Sequence, residues 1–413
     1  MKREKKKSDV LFKKRQWMNS SLVTGVVLKN RHSKHSMNNS LVRERTNVSK
    51  GPMRETTRKL SLSYWKKHMT FTLCIFLVFA VTLVIFRLYR GSSSVVQVGT
   101  TDLDESTGWE ALSNRVAFAI KTGEQVIEER FPNPNNTWLQ RVSNYMVVSD
   151  VANTRYQAVG LKELFETAGF SLESFLETRQ APLLQSSEKR PFKVTVDQTR
   201  SGWWQDREKN LPGFYMMWKK FPNMDWYIMC DDDTFFFLDG LAAILEHPIF
   251  QQAMKEELPI YMGNEFNVAL CEGYDPSGMT NGTLNPWFAH GGSGIVLNYW
   301  ALEALVEMIP WCMQRFQDCW AGDIKVGLCF RELGIDIVPM GTHFIAVDPK
   351  NYFDTYYSQP PYKQAKPHDI VASFHHCDDE EFEFLYSLPT KQHKQIVQFQ
   401  DIAKYVSPSF QFP

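Results

Sequence analysis

A run of 18 uncharged, mostly apolar residues at 69–86 divides this chain of 413 residues into two unequal parts. Folded as a helix that rises about 1.5 Å per residue, the run is roughly 27 Å long, which suits a thin bilayer. Because Lys66 and Lys67 precede the run and Arg87 follows it, a buried core helix is the less favoured interpretation. The sequence therefore predicts one transmembrane signal-anchor helix over residues 69–88.

The two parts carry opposite charge although the whole chain has a formal net charge of +0. Residues 1–68 contain 19 Lys and Arg against 4 Asp and Glu, so the rest contains 27 against 42. A tail this basic favours the cytoplasmic side of the membrane, and no cleaved signal peptide is expected behind it. The tail lacks interleaved aromatic residues, so a disordered topology and sorting signal is favoured over a nucleic-acid site. We expect a single-pass type II protein of the Golgi or endoplasmic reticulum membrane.

Beyond the apolar run, the sequence predicts a short polar stem at 89–110 and one lumenal domain at 111–413. Short apolar strands alternate there with amphipathic helices. The predicted strands are 115–121, 144–150, 193–197, 225–233 and 335–339. A helical segment that ends in TWLQRV, at residue 142, is predicted between the first two strands, and the clearest predicted helices begin at residues 161 and 209. This alternation favours an α/β fold with a central, mostly parallel sheet covered on both faces.

Cysteines and glycosylation sequons fit a lumenal domain without defining it. In an oxidising compartment, the even number of lumenal cysteines favours disulfides, and Cys312 with Cys319 is a plausible local pair, although spacing alone leaves the connectivity open. Sequons at Asn135 and Asn281 are weak indications of attached glycans.

Three consecutive carboxylates, Asp231, Asp232 and Asp233, follow the apolar strand WYIMC. Two like charges about 4 Å apart repel by roughly 4 kcal/mol at an effective dielectric constant near 20, so this triplet needs a counter-charge. Ligands collect at the carboxyl ends of parallel strands, and carboxylate oxygens suit a hard divalent cation that also holds substrate phosphates. The alternative interpretation is a solvent-facing acidic turn.

Three further segments carry weaker signals. Gly291 and Gly292 in AHGGSGIVLN allow backbone to approach a sugar or phosphate, but a plain turn explains them equally well. Asp323, near the start of a predicted helix, could cap that helix or serve as a base for a hydroxyl. His375 and His376 precede a cysteine, yet a zinc site would need at least two more ligands at suitable spacing.

Taken in order, these segments resemble glycosyltransferase family 31, which includes the Fringe proteins, the core 1 β1,3-galactosyltransferases and the β1,3-N-acetylglucosaminyltransferases. The resemblance extends from about residue 115 to residue 376. It follows RVAFAIKTG, TWLQR, YMVVSD, the segment W-x-DREKN-x-P, DWYIMCDDDT, HGGSGIVLN, GDIKVGLCFRELG and SFHH. Each segment alone is weak evidence, but their shared order is specific.

The resemblance implies a GT-A fold and an inverting, divalent-metal-dependent transfer from a UDP-sugar. It implies a metal site, for Mn²⁺ or another divalent cation, formed by Asp231, Asp233 and His375, with His376 a less favoured ligand. Asp231 and Asp232 would also contact the ribose or diphosphate of the donor.

The resemblance also gives roles to the glycines and to the later carboxylate. Gly291 and Gly292 would line the donor or acceptor pocket, and Asp323 would deprotonate the acceptor hydroxyl. The sequence departs from the family pattern at Gly322, where the family has Glu, and at Ser293, where the family has its usual small residue after the glycine pair. The retained Asp323 keeps the base, whereas the lost Glu leaves the acceptor class open.

We therefore expect a hexosyltransferase that moves galactose or N-acetylglucosamine from UDP to a glycan carried by protein, lipid or polysaccharide, forming a β1,3 linkage. Two alternatives stay open. One is a retaining UDP-sugar transferase, and the other is a non-catalytic lumenal chaperone or glycan-binding protein on a transferase scaffold.

Overall fold

The computed structural model describes residues 108–175, 206–267, 287–317, 319, 321–357, 359, 364–392 and 396–412. The predicted tail, the predicted membrane helix, most of the predicted stem and the predicted strand at 193–197 lie outside these residues. Within the described ranges, no helix is both long and apolar enough to cross a membrane.

Short strands and helices alternate along the described chain. The strands are β1 Val116–Lys121, β2 Tyr145–Ser149, β3 Ala158–Gly160, β4 Trp226–Asp231, β5 Phe235–Phe236, β6 Tyr261–Gly263, β7 Glu265–Phe266, β8 Phe288–Ala289, β9 Ile295–Asn298, β10 Val338–Pro339, β11 Phe344–Ile345 and β12 Ser373–Phe374. The helices are α1 Trp109–Leu112, α2 Ile127–Arg130, α3 Pro132–Asn136, α4 Leu161–Thr167, α5 Asn210–Lys220, α6 Leu238–Leu245, α7 Pro248–Lys255, α8 Tyr299–Arg315, α9 Gly322–Leu333, α10 Pro349–Asn351, α11 Asp379–Gln392 and α12 Phe399–Val406. A 3₁₀ turn at Trp138–Arg141 stands where a helical segment was predicted.

A seven-stranded sheet in the order β10-β6-β9-β4-β1-β2-β3 forms the centre of the fold. Its neighbours pair in parallel except at β9, which runs antiparallel to β4 and to β6. Smaller sheets, β11-β12-β5 and β7-β8, lie outside it. The predicted α/β class with a mostly parallel central sheet is confirmed.

Both faces of the central sheet are covered, which explains why β1 and β4 are apolar along almost their whole length. On one face, Phe118 packs against the aromatic rings of Trp109, Trp138 and Phe236. On the other face, α5 lies so close to the sheet that a Cβ on its Gly213 would come within 2.9 Å of Met229 Cε.

The ends of several strands lie together at one edge of the central sheet, and the predicted functional residues lie on or after them. Lys121 ends β1 and is the register partner of Asp231, which ends β4. Because β9 runs in the opposite direction, its first residue, Ile295, lies opposite Met229 near the same edge. The pairing of β12 with β5 brings the residues that follow Phe374 to this edge as well.

The predicted disulfide between Cys312 and Cys319 is wrong, because Cys312 pairs with Cys329. Cys312 lies on α8 and Cys329 on the adjacent α9, and their Cα atoms are 6.0 Å apart, a normal disulfide separation. Cys319 is also disulfide-bonded, whereas Cys230 and Cys377 are free and buried.

Candidate functional site

The acidic triplet lies at the carboxyl end of β4, and its three carboxylates have different partners. Asp231 Oδ1 is 2.6 Å from Lys121 Nζ. Asp232 is buried and accepts a hydrogen bond of 2.5 Å from the hydroxyl of Thr122. Asp233 Oδ2 lies 3.3 Å from Arg130 Nη1. The carboxylates of the triplet are therefore paired with neighbouring side chains and largely buried, and they do not form a solvent-facing acidic turn.

His375 and His376 bring their imidazole rings to Asp233. His375 Nε2 lies 3.0 Å from Asp233 Oδ1, and His376 Nδ1 lies 3.3 Å from Asp233 Oδ2. The centroids of the two rings are 3.7 Å apart. The backbone of His376 has a φ of 64°, a value that residues other than Gly rarely adopt. One ligand atom from each of the three residues lies within 4.8 Å of the others.

These donors fit a divalent cation. Two ligands at right angles, each about 2.1 Å from one ion, are about 3 Å apart, which matches the separation of Asp233 Oδ1 from His375 Nε2. Carboxylate oxygen suits Mn²⁺ and Mg²⁺, and imidazole nitrogen suits first-row transition ions, so the mixed set favours an ion such as Mn²⁺. Asp231 Oδ2 lies 3.5 Å from His375 Nε2 and is therefore close to the cluster.

The electrostatics of the cluster follow from burying charges together. Although burial opposes its protonation, the carboxylates of Asp233 and Asp231 raise the pKa of His375 to about 10. Burial likewise opposes ionisation of Asp233, but His375 and His376 hold its pKa well below the ordinary value. Burial and the charge of Asp233 raise the pKa of Asp232 to about 7. Asp233 therefore stays an anion, as a metal ligand must, whereas a metal ion that binds His375 would displace its proton.

The glycine segment connects this cluster to Asp323. Gly291 N donates a hydrogen bond of 2.9 Å to Asp323 Oδ2. The next residue, Gly292, lies against His375, and a Cβ there would come within 2.2 Å of the imidazole ring. Thr234 Oγ1 donates to Gly292 O at 2.7 Å and fixes the segment to the residue after the triplet. Gly291 therefore contacts the predicted base, Asp323, and Gly292 contacts the predicted metal ligand, His375.

Asp323 lies in the first turn of α9, one residue inside the helix, and the N-cap residue is Ala321. Its Oδ1 accepts a hydrogen bond from Ile324 N at 2.8 Å. Burial raises the pKa of Asp323, while the N–H of Gly291 and the charge of Lys121 oppose this rise. A carboxylate with a raised pKa, held against the glycine segment, can accept a proton, which a helix-capping role alone does not require.

The structure also places residues at the site that were not predicted from the sequence. Lys121, Arg130 and Thr122 contact the triplet, and Asp206 contacts Lys121. His290 has its ring centroid 5.2 Å from that of His375, and burial together with the charge of His375 lowers its pKa to about 3. Lys121, at the polar end of an apolar strand, had the clearest signal.

The departure at Gly322 has a steric explanation. A Cβ at this position would lie 2.6 Å from Asn210 Oδ1 and 2.8 Å from Arg207 O. A glutamate therefore does not fit here while the segment before α5 keeps this position. The other departure, Ser293, is buried, and its carbonyl accepts a hydrogen bond of 2.6 Å from Ser373 Oγ.

One known protein family matches the part of the chain that contains most of these segments. Residues 112–347, more than half of the chain, match a family described as Fringe-like. The matched range contains β1, the acidic triplet, the glycine segment and Asp323, and it ends before His375 and His376.

Proposed function

Because the chain belongs to the Fringe-like family and is therefore a glycosyltransferase, we propose that it transfers a hexose from a UDP-sugar to a glycan hydroxyl with inversion. The donor would be a galactose or N-acetylglucosamine nucleotide, and the new bond a β1,3 linkage. The acceptor glycan would be carried by protein, lipid or polysaccharide.

The observation that carries this proposal is the pair of contacts made by adjacent glycines. Gly291 holds the carboxylate of Asp323, and Gly292 backs the imidazole of His375. One segment of backbone, held by the hydrogen bond from Thr234, therefore separates a proton acceptor from a cluster suited to a cation. Such preorganisation is what a displacement between a nucleophile and a leaving group requires.

Asp233, His375 and His376 would hold the divalent cation, which when bound neutralises the charge of the departing nucleoside diphosphate. Asp323 would accept the proton from the acceptor hydroxyl, since its raised pKa brings its basicity closer to the working pH. Arg130, beside Asp233 and about half exposed, adds a positive charge at the open side of the cluster.

A retaining transferase of similar fold would use the acidic cluster equally well. It would have no use for Asp323 as a base, so the contact between Asp323 and Gly291 favours inversion. The anomeric configuration of the product decides between the two: a β product from an α-linked donor supports inversion, and an α product removes the base assignment.

The test of function uses the purified full-length chain in mild detergent, a panel of UDP-sugars and a panel of acceptor glycans. We expect turnover with Mn²⁺ that chelator abolishes and that added Mn²⁺ restores. Asp323→Asn is the matched control for contaminating activity, because it removes the base but no ligand of the cation. Binding of glycans without turnover of any donor would favour the non-catalytic alternative.

We also propose that the protein works in the Golgi or endoplasmic reticulum as a type II membrane protein with a lumenal catalytic domain. The uncharged run at 69–86 and the basic residues before it support this placement. Protease protection of the C-terminal epitope in sealed microsomes tests it, and digestion of that epitope without detergent would contradict it.

A further inference from the structure

Lys121 is a buried cation inside the site. It ends β1, in the centre of the sheet, and its side chain is 3% exposed. A buried ammonium is unfavourable unless it is paired. Lys121 has two partners: Nζ lies 2.6 Å from Asp231 Oδ1 and 3.0 Å from Asp206 Oδ2. The lysine therefore neutralises one carboxylate of the triplet and one carboxylate from the segment before α5.

The two outer carboxylates of the triplet differ because of this lysine. In Asp231, Oδ1 is engaged by Lys121, and only Oδ2 faces His375, at 3.5 Å. In Asp233, one oxygen faces His375 and the other faces His376. The group of ligand atoms close enough to share an ion contains Asp233, His375 and His376, and it does not contain Asp231.

We propose that Lys121 is an internal cation that occupies Asp231 and so confines the divalent cation to the side of Asp233. Lys121 acts through Asp231 and is a positioning residue, without contact to the reacting atoms. With Lys121 in place, the site takes one ion; without it, Asp231 loses its closest positive charge and attracts cations. This inference refines the expectation that Asp231 is a metal ligand, and it depends on the proposed function only for the presence of a cation.

The first test is Mn²⁺ binding to the full-length chain in the absence of UDP-sugar, measured by calorimetry and by the electron paramagnetic resonance signal of free Mn²⁺. We expect the wild type to bind one ion at this site. Lys121→Met should bind a second ion or bind the first about 10-fold more tightly, because a positive charge beside the site is removed, whereas Lys121→Arg should behave as the wild type. Lys325→Met is the matched control: Lys325 is equally buried, and its partner, at 2.8 Å, is Glu208.

Tighter or additional binding in Lys121→Met, but not in Lys325→Met, supports the inference. Unchanged or weaker Mn²⁺ binding in a folded Lys121→Met variant overturns the inference. That result would mean that Lys121 stabilises the fold but does not keep the cation away from Asp231. A wild type that binds no Mn²⁺ also overturns it.

A second pair of variants serves if Lys121→Met does not fold. Asp233→Asn should weaken Mn²⁺ binding by about 100-fold, and Asp231→Asn by no more than about 3-fold, since Lys121 already neutralises Asp231. Equal losses in the two variants would overturn the inference. Because these measurements need no transfer reaction, a protein that shows the expected Mn²⁺ pattern but no turnover would disprove the proposed function and leave the role of Lys121 standing.

Discussion

Gly292 lies against the imidazole of His375 so closely that a Cβ on Gly292 would come within 2.2 Å of His375 Cε1. No side chain fits at this position unless His375 moves. The neighbouring Gly291 is less restricted, with a Cβ placed 3.2 Å from Asp323 Cβ. The two glycines therefore respond to substitution through different partners.

Gly292→Ala should displace the imidazole of His375 and weaken Mn²⁺ binding by at least about 10-fold, because the cluster loses its arrangement. Gly291→Ala is the matched control, since its methyl group presses on Asp323 and leaves His375 in place. We expect Gly291→Ala to slow transfer while Mn²⁺ affinity stays near that of the wild type. Calorimetric titration with Mn²⁺ measures both variants, and equal effects on Mn²⁺ binding would contradict the separation.

Asp323→Asn should lower the rate of transfer by about 10²–10⁴-fold, the usual contribution of a general base. The amide keeps the shape of the side chain and can still accept the hydrogen bond from Gly291 N, so UDP and Mn²⁺ should bind as in the wild type. The same substitution at the exposed Asp336 is the control and should leave the rate unchanged. An active Asp323→Asn variant would remove Asp323 from the mechanism.

The rate should fall as the pH is lowered, because a protonated Asp323 cannot accept a proton. Burial raises the pKa of this carboxyl, so the midpoint of the fall should lie above about 3.9, the ordinary value for Asp. A profile of kcat/KM against pH at saturating Mn²⁺ measures it. The residual activity of Asp323→Asn should lack this acidic limb; if the limb persists, another group causes it.

The elements nearest to the triplet could be predicted from the sequence because their signals are local. The apolar runs at 116–121 and 226–231 have the composition of buried parallel strands, and both form strands that end at the site. The triplet and the glycine segment follow from the same patterns. The predicted strand at 335–339 is reduced to two residues, Val338 and Pro339, which form β10 at the edge of the sheet, the position in which a sheet tolerates proline.

The contacts between distant segments could not be predicted. Lys121 pairs with Asp206, 85 positions away, and no local pattern indicates this contact. The preference for Cys329 over Cys319 depends on how α8 packs against α9, which spacing along the chain does not show. The approach of His376 to Asp233 is accompanied by a positive φ at His376, a backbone conformation that is uncommon in residues other than Gly.

The disulfide between Cys312 and Cys329 should stabilise the helix that carries Asp323. The two cysteines are 17 positions apart. A cross-link across a loop of that size raises the free energy of unfolding by about 3 kcal/mol, because it lowers the conformational entropy of the unfolded chain. Cys312→Ala/Cys329→Ala should therefore lower the thermal midpoint under non-reducing conditions, measured by differential scanning fluorimetry. The free, buried Cys230 supplies the comparison: Cys230→Ala removes a thiol but no cross-link, and an equal loss would mean that the cross-link contributes nothing.

Because β9 runs antiparallel to β4 and β6, it connects the glycine segment at one end of the strand to Asn298 at the other end. Asn298, at the other end of the strand, is buried, accepts hydrogen bonds from Ile260 N at 2.8 Å and Ala301 N at 2.9 Å, and donates to Leu258 O at 2.7 Å. Roughly 13 Å of extended backbone joins this anchor to Gly294. A random-mutagenesis screen for lost transfer should therefore recover Asn298 among its hits, although it lies at the opposite end of β9 from the glycine segment.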